Sequence, residues 1–498
     1  MKDSVYARLR SDSQQHFSVT DGGAVELGAG DLLARVSELA GLLDRIGARR
    51  IALLADNGID WIIADLACDR AARCVVPLPL FFSDDQLVAA LRNSGVDTLL
   101  TDQAERVLSL LDGVGAGWHL SDSGRLAMFS LDNTVKADIP PETRKITYTS
   151  GTTGAPKGVC LGADQQLTVA GSLIEATGLA RPRHLCLLPL STLLENVAGV
   201  YAPLLAGGTV IAPSLSRIGF NGSSRLDADR FLRAIALHRP QSLILVPEML
   251  AVLVAAAEHG WQVPEALEFV AVGGSKVAAA AIERAWAVGL PVYEGYGLSE
   301  CCSVVSLNRP GANRPGSAGR PLAHLDVRVE DGEVVVGGAT FLGYVGDPHS
   351  WNGRTVRTGD LGRIDADGLL CIDGRSKNVL ISSFGRNISP EWVESELLAG
   401  DVLRQAFVFG DAKAYCVALL VPRNPRMPDT ELQDWINRVN ARLPDYARIS
   451  GWRRLADPLT SRAGLLTENG RPRRDRIAGQ FRQILTEMFD IPREGIAL

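Results

Sequence analysis

Short apolar runs alternate with helical patterns through the first third of the chain, and this rhythm restricts the fold more than any other feature. Ile51 to Leu54 reads as a buried strand, and the stretch through Trp61, Ile62 and Leu66 as a helix. Cys74 to Leu80 reads as the next strand. Ser83 then opens a helix, with Gln86 at the capping-box spacing, and Val96 to Leu100 follows as a further strand. A βαβα order predicts a mainly parallel sheet with helices on its faces. The rhythm returns at Leu243 to Val246, ahead of an Ala/Leu-rich helix. It returns again at Phe269 to Val272, which leads through Gly273, Gly274 and Ser275 into another helix.

Beyond about Arg320 the pattern changes to strands joined by tight turns. Val327 to Glu330 and Glu333 to Val336 flank Asp331-Gly332, a hairpin signal because both turn positions favour positive φ. Ile364 and Leu369 to Ile372 bracket a second turn that ends at Gly368. Near Lys377 a smaller unit begins, with Ser389 as a helix cap and Pro390 at the first helical position. Strands at Gln405 to Phe409 and Cys416 to Val421 follow, then a helix through Leu432, Trp435 and Val439. The expected fold is therefore α/β: a large layered N-terminal domain, residues 1–374, with a β-rich distal part. A hinge at 375–377 and a small mobile C-terminal α+β domain, 378–498, complete it.

A chain of 498 residues, 46% hydrophobic and 22% charged, has ample material for more than one core. Its formal net charge of −6 argues against a general nucleic-acid binder, which needs a basic surface to displace counterions. The polar N-terminus carries no secretory signal, and the apolar stretch from Ile244 to Ala257 is interrupted by Pro247 and Glu248, too short to span a bilayer. Eight cysteines without paired-ligand spacing read as small core residues of a reduced, cytoplasmic chain. The seven histidines form no zinc motif.

The most informative segment runs Thr149, Ser150, Gly151, Thr152, Thr153, Gly154, Ala155, Pro156, Lys157. Glycines let a loop wrap an anion, hydroxyls and backbone N–H groups donate to phosphate oxygens, and lysine adds a point charge. By chemistry alone a plain Ser/Thr/Gly surface loop remains open, and the order is wrong for a Walker loop. The segment resembles in full the phosphate loop of the adenylate-forming superfamily, which includes acyl-CoA synthetases, luciferases and peptide-synthetase adenylation domains.

Other pieces follow in that family's order across nearly the whole chain. Glu294, Gly295, Tyr296, Gly297, Leu298, Ser299 and Glu300 resemble its adenine and magnesium segment. The resemblance implies that Tyr296 stacks on adenine, Ser299 faces the α-phosphate and Glu300 holds Mg²⁺. Gly273, Gly274 and Ser275 resemble the strand end lining the adenine and acyl pockets. Asp360 resembles the ribose-binding carboxylate, Arg375 its neighbour on the ribose, and Lys377 the hinge residue. Gly385 resembles the glycine that lets the pantetheine arm of CoA pass. Read alone, Glu300 would be a solvated charge and Asp360 a turn residue.

Two departures from the family stand out. Arg471 occupies the position of the usual catalytic lysine, keeping the charge but bringing a bulkier planar fork, with Arg473 as a possible substitute. The stretch from Leu188 to Asn196, including Glu195, resembles the acyl-channel segment of fatty acyl-CoA synthetases, but Thr192 stands where histidine is usual. The expected activity is ATP- and Mg²⁺-dependent conversion of a carboxylic acid, a fatty acid first, to acyl-AMP, with Lys157, Ser299, Glu300 and Arg471 as catalytic residues. Transfer to CoA would follow. An acyl carrier protein as acceptor, and a catalytically weak binding protein on account of Arg471, remain as alternatives.

Overall fold

Arg50–Leu54 carries four consecutive buried side chains and lies inside an eight-stranded sheet. It pairs in parallel with Cys74–Pro77 on one side and Thr98–Thr101 on the other. Continuous apolar runs suit a strand covered on both faces. The covering helix Ile59–Arg70 is buried along most of its length, with Trp61 as its largest fully buried side chain. The computed structural model describes residues 4–11, 16–113, 118–122, 125–131, 137–149, 157–221, 225–383, 386–467 and 470–490.

Local signals account for several boundaries. Ser83 Oγ accepts from Gln86 N while Gln86 Oε1 accepts from Ser83 N, and Gly95 at φ 62° ends that helix. The strand expected to reach Leu80 stops at Pro77, because Pro77 and Pro79 have no N–H to give a ladder. Pro247 does not break a helix; it opens one, Pro247–Glu258, from the first turn, where a missing N–H costs nothing.

The apolar strands divide between two sheets, a partition that alternation alone does not encode. The second sheet has nine strands. Its parallel core runs Ser18–Thr20, Thr209–Ile211, Arg183–Leu185, Ser242–Leu245, Phe269–Val272 and Val292–Tyr296 in spatial order. The β-rich distal part is a four-stranded antiparallel sheet, Leu325–Glu330, Glu333–Gly338, Thr355–Ile364 and Leu370–Arg375. Asp331 and Gly332, at φ 52° and 80°, make its first hairpin.

In the C-terminal unit a three-stranded sheet packs one face on the helices Pro390–Leu398 and Asp429–Asn440, through Val393, Leu397, Leu432 and Ile436. Its other face packs against Leu485 and Met488 of the last helix. All eight cysteines are unpaired and buried. Among the described residues no helix is long and apolar enough to cross a membrane.

Candidate active site

Two adjacent parallel strands, Phe269–Val272 and Val292–Tyr296, end side by side and release loops from their carboxyl ends. Open α/β sheets bind ligands at such ends. Gly273 is favoured there by close approach, since a Cβ on it would lie a tight 3.0 Å from the Gly295 carbonyl oxygen. Gly274, at φ 89°, and Ser275 are exposed at the cleft, and the next helix starts only at Ala279. Gly297 admits no side chain: a Cβ would sit 1.6 Å from Ser303 O. The loop folds back on itself and turns Ser299 and Glu300 outward on a single 3₁₀ turn, Ser299–Cys301. Cys302 and Ser303 bear the cost in left-handed backbone, at φ 54° and 103°.

The distal sheet closes one wall. Tyr296 Oη donates to Asp360 Oδ2 at 2.6 Å, and Arg375 Nε lies 2.8 Å from Asp360 Oδ1. Arg375 Nη1 also donates to Thr358 O. Burial raises the Asp360 carboxyl above its ordinary range, while Arg375, the Tyr296 hydroxyl and Arg471 pull it back down. Burial and the Asp360 charge push the Tyr296 hydroxyl upward, so it stays a donor.

Glu300 is bound to the opposite wall through a residue that sequence reading missed. Tyr344 Oη donates to Glu300 Oε1 at 2.8 Å, and the Lys157 ammonium sits 4.4 Å from the centre of the Tyr344 ring. A cation over an aromatic face is attracted by the ring quadrupole. Lys157 opens the strand Lys157–Leu161, paired antiparallel with Lys145–Thr149 so that Thr149 lies opposite Lys157. Residues 150–156 between them, with Ser150, Gly151, Thr152, Thr153 and Gly154, lie outside the described residues, as does Gly385.

The small domain contributes Arg471, whose Nη2 donates to Gly274 O at 2.8 Å. Part of the side chain is exposed at the cleft mouth, while the surrounding protein crowds the charged group. The protein around it lowers its proton affinity by desolvation and by the like charge of Arg375, against the attraction of Asp360 and Glu300. Arg473 is fixed by its backbone to Leu465 O and makes no side-chain bond to the cleft among the described residues. Lys377 is exposed in a turn closed by Asn378 N and Val379 N on Arg375 O.

Glu294 lies below the floor of the cleft, 8% exposed, with Oε2 unpartnered among the described residues. Thr192 is half-buried in a turn made by its N–H on Pro189 O. Glu195, expected at the acyl channel, is fully buried. Its Oε1 lies 3.0 Å from His184 Nε2 and its Oε2 accepts from Leu188 N, so the carboxylate braces the segment from behind. Glu195 opens a π-helix, Glu195–Tyr201.

A model of the AMP-binding enzyme family matches residues 10–345. The chain belongs to that family. A model of the AMP-binding enzyme C-terminal domain matches residues 377–491. This AMP-binding enzyme is 30% identical over 423 residues to a feruloyl-CoA synthase of Amycolatopsis sp, covering 78% of this chain and 81% of that one. It is 26% identical over 448 residues to a long-chain-fatty-acid–CoA ligase of Mycobacterium bovis, covering 74% and 72%. The crystal structure of an anthranilate CoA ligase in complex with anthranoyl-AMP shares the fold, with TM-score 0.80 at 18% identity over 97% of this chain and 98% of that one. The relatives are AMP-forming acid–thiol ligases, and the AMP-binding enzyme is of that type.

Proposed function

We propose that the chain joins a carboxylic acid to AMP and then transfers the acyl group to CoA. In the first step a carboxylate oxygen attacks the α-phosphorus of ATP, the new P–O bond replacing the bond to pyrophosphate. In the second the thiol sulfur attacks the acyl carbonyl, AMP leaves and the thiol proton is lost. The observation that carries this reading is the convergence of Arg471, Arg375, Asp360, Tyr296 and Glu300 from three parts of the chain on one cleft.

Arg471 and Lys157 supply positive charge where negative charge accumulates on phosphate, the kind of preorganised stabilisation that lowers such barriers most. Asp360 keeps lone pairs free to accept ribose hydroxyls beside the Tyr296 and Arg375 bonds. Tyr296 offers a ring face to adenine, Gly273 to Ser275 leave room beside it, and Ser299 stands next to the phosphate path. Glu300 fits a magnesium ion: it offers a hard carboxylate oxygen, and its Oε2 accepts no hydrogen bond from the described residues. Bound there, the ion would neutralise part of the triphosphate charge. Glu300→Gln should therefore abolish Mg²⁺-dependent pyrophosphate release without changing the fold, read by kinetics and circular dichroism together.

For the acid we propose a fatty acid, supported by the likeness of the Leu188 to Asn196 segment and by the fatty-acid–CoA ligase relative. An aryl acid is the second reading, favoured by the feruloyl-CoA synthase relative. Pyrophosphate release with ATP and Mg²⁺ against fatty and aryl acids, with CoA or a carrier protein present, decides between them by the best responder. Silence from the wild type and from Arg471→Lys across the panel would overturn the ligase reading.

A further inference from the structure

The helix Pro390–Leu398 of the small domain is gripped at both ends. At its C-terminal end the Ala399 carbonyl has run out of helical partners, as the last carbonyls of any helix do. Arg284, from the large-domain helix Ala279–Ala287, donates Nη1 to that carbonyl. The same guanidinium is fixed by Glu258, with Nε 3.0 Å from Oε1 and Nη2 2.7 Å from Oε2, and Nη2 lies 3.5 Å from Asp401 of the small domain. Glu258 thus aims the fork, and its remaining edge faces across the domain boundary. A cation placed there also complements the negative end of the helix dipole.

At the helix's other end, Glu394 and Glu391 hold Arg474. Glu394 Oε1 and Oε2 lie 2.7 and 2.6 Å from Nη1 and Nη2, Glu391 Oε1 lies 3.4 Å from Nη2, and Nη1 also donates to Val408 O. Glu394 is buried and the Arg474 side chain is only 12% exposed, so the clamp is largely shielded from solvent. Arg474 follows Arg471 by three residues, and Arg471 reaches back to the large domain at Gly274 O. A continuous mechanical path therefore leaves the large domain at Arg284, runs the length of one helix, and returns at the cleft.

We propose that Arg284 is a positioning residue: by capping this helix across the domain boundary it holds the small domain in the pose that keeps Arg471 at Gly274. Its kinetic consequence rests on the two-step reading above; its structural consequence does not. Arg284→Ala should lower acid-dependent pyrophosphate release by about tenfold, the order expected for one lost charge-assisted hydrogen bond. Thioester formation from supplied acyl-adenylate should be unchanged. Arg284→Lys, which keeps the charge but not the fork, should fall between.

A second readout needs no activity. Lys377 is exposed, and trypsin cleavage after it, followed by mass spectrometry without substrates, should run several-fold faster in Arg284→Ala than in the wild type. Glu258→Ala should give the same direction. Equal cleavage rates in all proteins, or equal loss of both half-reactions, would overturn the proposal. Should neither the wild type nor Arg471→Lys release pyrophosphate with any acid, the ligase reading fails and the cleavage comparison still decides this one.

Discussion

Glu294 sits in the middle of the strand Val292–Tyr296 with the Val277 amide on its carboxylate and Oε2 unpartnered among the described residues. Burial pushes its pKa up to about 7, only partly offset by Lys276 and the amide. The unfolded chain gives up this proton near pH 4.5, whereas the folded one keeps it until about 7. Across that window the folded state binds more protons, so stability falls as pH rises from about 4.5 to 7 and then levels off. Glu294→Gln, a permanent mimic of the protonated acid, should flatten that slope. At pH 8 it should gain on the order of 3 kcal/mol over the wild type and at pH 4 almost nothing, as read by urea unfolding. Residues adjacent in sequence, from Glu294 to Glu300, were legible because a strand and its following turn place them together. Tyr344 was not, because its bond to Glu300 spans 44 positions and no local pattern marks it. The burial of Glu195 was not legible either, because a motif fixes spacing but not which way a side chain faces.

At the scale of elements, the π-helix Glu195–Tyr201 organises a buried ionic cluster. In an α-helix, positions five apart point about 140° away from each other; in a π-helix, whose bonds run i to i+5, they share a face. Asn196 and Tyr201 therefore both turn to Asp65 of the helix Ile59–Arg70, Asn196 at 3.0 Å. Between them lies Lys145, its ammonium 2.9 Å from Asp65 Oδ1 and 2.9 Å from Tyr201 Oη, and bonded also to Asn196 Oδ1. Lys145 heads the strand that leads toward the glycine-rich loop. Lys145→Met would leave Asp65 buried and uncompensated, an expected loss of about 3–5 kcal/mol in urea unfolding. Adding Asp65→Asn to it should recover part of that loss, which a simple cavity would not do. Nothing in the sequence marked this cluster, since a lysine at a strand end ordinarily faces water. Hairpins and caps such as Asp331-Gly332 and Ser83 were readable because their signals lie within four residues.

For the whole molecule, the α/β alternation in the first third, the β-rich distal part and the separate C-terminal unit follow from periodicity and turns. The division of strands between two large sheets does not. Ser18–Thr20 pairs with Thr209–Ile211 across 191 positions of the sequence, and only packing selects that pairing. The contacts between the two domains are equally non-local, among them those of Arg284 at one end of a helix and Arg471 beyond the other. The burial of every cysteine has a chemical consequence for an enzyme of this type. An activated acyl group does not distinguish one sulfur nucleophile from another, and Cys301 directly follows Glu300 in the chain. Burial holds the Cys301 thiol well above its ordinary range, protonated and without access to the cleft. By keeping its own sulfur out of reach, the protein avoids becoming an acceptor for its own product, and the mixed anhydride is left for the thiol that arrives from outside.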